Sequence, residues 1–330
     1  MNAGAVRVSW SELDASAGQL DEAVASSTIT DTFCSSAAWQ LSAWRAFQRS
    51  DGDALWSWRD ARTWMLFSLR VIDSRRVLLP LEAQWGYACP LLGPSSHDAS
   101  AALVQLLRSH RTEWDTACIT GVLRSERLFS LVTGQLMRRG MMVGIGQTSA
   151  RCVASLDGGL DGFLSRRSPK FRKNLRRLQR RADGDIVLER HAPATADEAD
   201  ACFARALDVE ARSWKGEADQ GIVGNRMETF YRHMIGKLVS RGALRVTFAC
   251  SDDGQDIGYV LGGVFGRRYR GLQISFDDRF DAYSIGHLMQ LHTIEGLCAE
   301  GIDTYDLGQR MAYKSQWAER VHETVAIIVR

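Results

Sequence analysis

The stretch from Tyr269 to Trp317 constrains this chain more than any other part of it. It opens on YRGLQISFD (Tyr269 to Asp277), whose side chains alternate with the two-residue period of a strand. A polar turn, Asp278-Arg279-Phe280-Asp281-Ala282-Tyr283, leads into SIGHLMQLHTIEGLCAEG (Ser284 to Gly301). That segment begins on a capping-type serine, carries apolar residues at helical spacing and stops at glycine. IDTYDLG then reads as a second strand and runs into MAYKSQWAE. A helix opening on Ser-Ile-Gly directly after a strand leaves backbone N–H groups without partners, and its dipole favours negative charge. Such a place can hold a phosphate.

With 330 residues, 45% of them apolar, the chain can bury one large core or two ordinary ones. The formal net charge is +2, and the first 150 residues carry equal numbers of each sign. Nothing in that balance demands nucleic acid or an acidic membrane. Seven scattered cysteines without a CxxC pair suggest reduced, buried thiols and no metal site. The N-terminus lacks the apolar core of a signal peptide, and no run reaches the roughly 18 apolar residues of a membrane helix. A soluble, cytoplasmic protein is the expectation.

Two α+β halves follow from the pattern, with a boundary near residue 155. In the first, helix patterns at SELDASAGQLDEAVASS and SSAAWQLSAWRAFQRS precede strands at ALWSWRD, TWMLFSLRVID and RVLLPLEAQW. A helix AALVQLLRSHRTEW, a strand TACITGVL and a helix RLFSLVTGQLMRRG come next, and MMVGIGQTSARCVASL reads as a strand pair. The second half has a basic helix over Phe163 to Ala182, strand IVLERHA and helix DEADACFARALDVEARSW. A loop around Trp214 to Gly224, helix METFYRHMIGKLVSRG and strands LRVTFAC, IGYVLGGVFG and YRGLQISFD follow, and HETVAIIVR is expected to complete that half's sheet.

This order resembles the acyl-CoA core of GNAT-type acyltransferases, in the CelD-like branch related to Fem-type peptidyl transferases. That branch has Tyr-Ser-Pro-Gly at a helix start, then Asp-Phe/Leu-Gly, then Tyr-Lys-x-x-Trp. Here the matching residues are Tyr283-Ser284-Ile285-Gly286, Asp306-Leu307-Gly308 and Tyr313-Lys314-Ser315-Gln316-Trp317. Ser213-Trp214-Lys215-Gly216, the basic helix and an early Phe33, Trp39 and Trp44 also stand in the branch's order. The resemblance implies tandem GNAT-like domains, 1–155 and 156–330, each a mixed central sheet flanked by helices. It implies acyl-CoA or acetyl-CoA, or a carrier-protein thioester, as donor, and an amine of a small molecule, amino sugar or peptide as acceptor. No metal is needed.

Under that reading the donor lies against Ser275, Phe276, Arg279, Ser284, Gly286 and His287, with a strand N–H near Ser275-Phe276 facing the thioester carbonyl. Asp306 is the candidate base or orienter, and Tyr283 and Tyr313 are candidate acids. Asp277 and Asp278 lie near the same cleft. Trp214 and Lys215 suit a lid or substrate wall, or equally a plug between domains, and Lys314 suits an anchor for an anionic group. Phe33, Trp39 and Trp44 read as core. The helix Phe163 to Ala182 carries nine basic residues, Arg172 and Arg176 among them, over an apolar stripe of Leu164, Phe171, Leu175 and Leu178. Its charge suits an acyl carrier protein, a tRNA backbone or an acidic substrate, or simply a solvated face. Two other readings stay open: an aminoacyl-tRNA-dependent Fem-like transferase, and a non-catalytic module on a degenerate acyltransferase fold.

Overall fold

The computed structural model describes residues 5–48, 53–60, 62–217 and 221–330. The first half runs β1 (Ala5–Val8), α1 (Trp10–Ala15), α2 (Ala17–Ser26), α3 (Thr32–Ser35), α4 (Ala37–Phe47), β2 (Ala54–Arg59), β3 (Trp64–Ile72) and β4 (Arg75–Leu79). It continues through β5 (Leu91–Leu92), α5 (Ser96–Ser109), β6 (Thr116–Leu123), α6 (Arg127–Arg138) and β7 (Val143–Ser155). After it come α7 (Gly159–Ser165), α8 (Pro169–Ala182), β8 (Ile186–His191), α9 (Ala196–Ala211), α10 (Trp214–Glu217) and α11 (Arg226–Val239). The chain closes with β9 (Leu244–Ser251), β10 (Asp256–Phe265), β11 (Arg268–Phe276), α12 (Ile285–Ala299), β12 (Thr304–Gln309) and β13 (Arg320–Val329). Two 3-10 turns, Asp278–Tyr283 and Ala312–Gln316, flank α12 and β12.

Two units emerge, 1–150 with 322–330, and 151–321. β7 therefore passes from the first unit into the second as one unbroken strand, where the sequence suggested a strand pair. HETVAIIVR corrects its expected place: it is the body of β13 and pairs antiparallel with β6, Ile327 opposite Ile119 and Ile328 opposite Cys118. Its alternating apolar side chains fit any half-buried sheet, so periodicity could not choose the partner.

The first unit's sheet runs β1-β2-β3-β4-β6-β13, with β5 beside β3. Its core gathers Trp56, Phe67, Leu103, Leu107, Trp114 and Ile327. β4 and β6 are parallel but share only the pairs Val77–Thr116 and Leu78–Ala117. Beyond them the chain fills the space itself. Thr120 Oγ1 donates to Ala88 O at 2.8 Å and Gly121 N to Gly86 O at 3.2 Å. The filling segment is held by Glu82, fully buried, whose carboxylate accepts from the amides of Trp85, Gly86, Tyr87 and Ala88 and from Trp39 Nε1.

In the second unit the order is β7-β12-β11-β10-β9-β8, antiparallel except for the parallel pair β11–β12. Helix α12 provides the crossover that a parallel pair requires. Phe163, Phe171, Leu291, Ile294, Tyr305 and Trp317 form its main core. The basic helix is broken, against expectation, because Ser168 caps a new helix through Phe171 N and Pro169 sits in its first turn. The apolar stripe survives on α8 as buried Phe171, Leu175, Leu178 and Ala182. Burying each large member of it contributes about 1.5–3 kcal/mol. Ser213 to Gly216, read as loop, leads into the one-turn helix α10, and the Tyr313-Lys314 segment is a 3-10 turn. Among the described residues no helix is long and apolar enough to cross a membrane.

Candidate functional site

β11 and β12 pair over only three positions, Arg268–Thr304, Tyr269–Tyr305 and Arg270–Asp306, and then part. Just past that point β11 carries a bulge. Leu261 of β10 faces Gln273 and Gly262 faces Gly271, which leaves Leu272 as the extra residue. A bulge re-aims backbone groups and bends the strand locally. Gly271 to Ile274 are half-buried.

Strands that part leave carbonyls to be satisfied by other means. Tyr231 Oη donates to Leu272 O at 3.1 Å, and Lys215 Nζ to Ile274 O at 2.5 Å and Ser275 Oγ at 3.0 Å. On the other strand, Lys314 Nζ donates to Leu307 O at 2.7 Å and Gln309 O at 3.1 Å. An ammonium thus sits on each arm. Burial, repulsion from Arg270 and the field of Lys215 bring Lys314 down to about 8, against a smaller opposing pull from Asp306. Burial also lowers Lys215, with Glu210 opposing.

At the point of parting Asp306 is 5% exposed and clamped. Its Oδ2 meets Arg151 Nη1 at 2.6 Å, and its Oδ1 meets Arg270 Nη1 at 2.6 Å and Gly308 N at 2.8 Å. Two guanidiniums and a backbone amide favour the ionised carboxylate. A carboxylate so committed is better suited to fixing geometry than to collecting a proton. Sequence reasoning missed Arg151 and Arg270, although both occupy inward positions of otherwise apolar strands.

The start of α12 lies next to the end of β11. Ser284 takes a left-handed conformation (φ 54°, ψ 50°) and makes no side-chain cap, contrary to its reading as a capping serine. Gly286 packs so tightly that a Cβ there would lie 3.3 Å from the Phe276 ring. His287 stacks at a tilt against Phe171 and Trp317, and burial lowers its pKa, so it is neutral at pH 7. Arg279 is engaged by Asp277, to which it gives hydrogen bonds of 2.6 and 2.9 Å; these hold the Asp277 carboxyl below its usual range. Asp277 also caps the following 3-10 turn, which makes it a structural carboxylate.

Not all the expected residues come together. Tyr283 donates to Asp185 at 2.9 Å and lies beneath Arg181, whereas Tyr313, 40% exposed, sits on the turn with Lys314. Ser275 is buried, its hydroxyl accepting from Lys215. The side chain of Trp214 falls outside the described residues. Arg172 and Arg176 stand on α8, which packs on α12 through Leu178, Ala182 and Leu288. Lys170, Arg172, Lys173, Arg176, Arg177, Arg180 and Arg181 have no carboxylate partner among the described residues, while Arg166 and Arg167 both reach Glu319. A cavity of about 500 Å³ adjoins the Lys314 turn, lined by Cys152, Arg310, Met311, Ala312, Ser315 and Glu319. Among the described residues no group of His, Cys, Asp and Glu side chains could hold a metal.

The comparisons with known proteins agree on the fold. A family model described as an acetyltransferase (GNAT) domain matches residues 169–315, which spans β11, α12 and β12. No curated protein matches the chain. A crystal structure of FemX is 12% identical, with 97% of this chain and 96% of that one aligned at a TM-score of 0.66. The C-terminal domain of a putative lysylphosphatidylglycerol synthetase from Agrobacterium fabrum is 11% identical, covering 97% and 92%, at 0.61. A tandem GNAT protein from the clavulanic acid biosynthesis pathway is 12% identical, covering 100% and 98%, at 0.52. The chain has the α+β GNAT acyltransferase fold.

Proposed function

We propose that the second unit is an N-acyltransferase that joins an acyl group from a thioester donor, acyl-CoA or a carrier-protein thioester, to an amine. The observation that carries this reading is the parting of β11 from β12 beside the start of α12. A flat pantetheine chain can add along β11, and its phosphates then reach the start of α12 at the N–H of Gly286, the N–H groups of Ser284 and His287 being taken up by Asp281 O and Ser284 O. The cavity beside Tyr313 and Lys314 has the size of a small-molecule pocket and receives the acceptor, an amino sugar, amino acid or peptide amine.

The reaction is attack of a neutral amine on the thioester carbon. The negative charge that develops on the carbonyl oxygen is met by the backbone around the Leu272 bulge and by the Lys314 ammonium. This moves the donor from Ser275-Phe276 to the bulge three residues earlier. Asp306 acts as orienter, fixing Arg270 and the turn at Gly308 where the strands part. Alignment of the two reactants supplies much of the rate.

Seven cations on α8 without a carboxylate partner among the described residues, on a helix packed against α12, favour a second reading in which the donor is an aminoacyl-tRNA. Titration with acetyl-CoA, a long-chain acyl-CoA and free CoA, followed by thermal shift, tests the first reading, since a ligand of the folded state raises Tm. Gly286→Glu should abolish that shift with the circular-dichroism spectrum intact. Unchanged CoA binding in the variant would sink the α12 assignment. Activity destroyed by ribonuclease would select the tRNA reading.

A further inference from the structure

Behind β11 lies a row of buried polar groups that the reaction described above does not use. Glu210, on the last turn of α9, is fully buried. Its Oε2 accepts from Tyr259 Oη at 2.9 Å and its Oε1 from Gln273 Nε2 at 3.0 Å. Both partners are neutral, although a buried carboxylate ordinarily takes a cation. Tyr259 stands directly opposite Ser275 in the β10–β11 ladder, and the Ser275 hydroxyl acts on its phenol. Ser275 Oγ in turn accepts from Lys215 Nζ at 3.0 Å. The row therefore runs Lys215, Ser275, Tyr259, Glu210, from the freed edge of β11 to a carboxylate without solvent contact.

We propose that these four residues form a proton relay in which Lys215 takes the proton of the attacking amine and Glu210 stores the proton that Lys215 must first give up. Lys215 ammonium with Glu210 carboxylate, and Lys215 amine with Glu210 acid, carry the same total charge. Passage through two hydroxyls interconverts them, and each hydroxyl both donates and accepts. With the relay shifted, the Lys215 amine accepts an N–H proton as the acceptor nitrogen bonds to the thioester carbon. When the C–S bond breaks, its electron pair leaves on sulfur and Lys215 returns that proton to the thiolate. Amide and thiol result, and the row is ready for the next turnover. Groups facing the row are Tyr231 from α11 and, toward the opening, Arg270 from β11 and Lys314 from its 3-10 turn. Burial raises Tyr259, with Glu210 adding to it, so this phenol passes protons without ionising.

This inference rests on the acyltransferase reading, and the test separates the two. In the full-length protein, Lys215 Nζ is titrated by heteronuclear NMR in the wild type and in Glu210→Gln, and kcat is followed against pH. Glu210→Gln keeps the volume and, once the Gln273 amide turns so that its oxygen accepts, both hydrogen bonds, but removes the store. We expect the Lys215 titration to move to lower pH, the kcat profile to move with it, and kcat to fall about 100-fold with KM for the donor unchanged. Ser275→Ala, a smaller change, should lower kcat without moving the Lys215 titration far. Lys215→Arg should stay inactive, because guanidinium does not deprotonate, whereas a merely structural cation would be rescued. An active wild type with an unmoved Lys215 titration or an unmoved kcat profile in Glu210→Gln overturns the relay alone. A wild type without turnover on any thioester overturns the reading beneath it, and the relay with it.

Discussion

Among the described residues each unit contains one parallel strand pair that parts after two or three residues, and the two units treat the gap in opposite ways. In the first, β4 and β6 part after Leu78–Ala117, and residues 85–89 lie in the space, tied by Glu82 beneath them and by Thr120 and Gly121 alongside. In the second, β11 and β12 part after Arg270–Asp306, and among the described residues the tips of Lys215, Tyr231 and Lys314 reach the freed carbonyls. The carboxylates at the two gaps differ accordingly. Glu82 is met by backbone amides, which build a filling, while Asp306 is met by Arg151 and Arg270, which hold a frame open. The lesson is that the same break in a ladder becomes a core or a cleft according to what satisfies its polar groups.

The comparison can be broken most severely at those carboxylates. Asp306→Asn leaves two buried guanidiniums facing a neutral amide and should cost about 3–5 kcal/mol. Melting temperature and donor binding should fall together. Glu82→Gln should cost about 1–3 kcal/mol, since its partners are neutral. Denaturant unfolding of both variants ranks them, and an Asp306→Asn protein of native stability would refute the frame.

A glycine on each side of the comparison tests the filling. An alanine Cβ at Gly121 would lie 2.4 Å from the carbonyl carbon of Ala88, at a φ of 67°, so Gly121→Ala should cost about 2–4 kcal/mol. Gly308 has a φ of 83°, but its nearest neighbour would be 3.5 Å away. Gly308→Ala should therefore cost only the backbone strain, about 1–2 kcal/mol. Equal losses in thermal unfolding would mean that the second gap is filled as tightly as the first.

Lys314 sharpens the picture through pH. Its folded pKa of about 8 lies below the ordinary lysine value of 10.5, so unfolding takes up a proton between those limits. The penalty of burying the charge is complete below pH 8, and stability rises as the pH climbs from 8 toward 10.5. Lys314→Met should lack that rise, and unfolding free energies at pH 7.5 and 10 compare the two proteins directly. Parallel pH dependences would place Lys314 in water. The smallest change in stability, within about 0.5 kcal/mol, is expected for charge reversal of Arg172, Arg176 and Arg180. Binding of a polyanionic donor or carrier should nonetheless weaken and lose its salt dependence; an unaltered salt slope would leave α8 a solvated face.

Local pattern made much of the second unit legible. β11, α12 and β12 follow from alternation, helical spacing and a terminal glycine, and Asp306 and Lys314 were singled out by their place in that order. The break at Ser168-Pro169 was also written in the chain, as a cap followed by a first-turn proline, but nine like charges with a shared stripe masked it. Glu210 was missed because a carboxylate near a helix end reads as solvated. Its signal was spacing, since Phe203, Ala206 and Glu210 fall on one helical face. The bulge at Leu272 and the parting of the strands left no mark, because they depend on partners far away in sequence.

The passage of β7 between the units and the return of the chain into β13 fix an order of events during synthesis. Residues 151–321 form an insertion within the first unit, and that unit's inner strand from His322 onward is made after the whole insertion. The second unit can close as soon as Val321 has left the ribosome, while the first waits with the β6 edge unpaired. An N-terminal unit that finishes last exposes an apolar edge for the time needed to translate some 170 residues. Chaperone contacts with the nascent chain should therefore concentrate on the first unit and end abruptly when the β13 residues emerge.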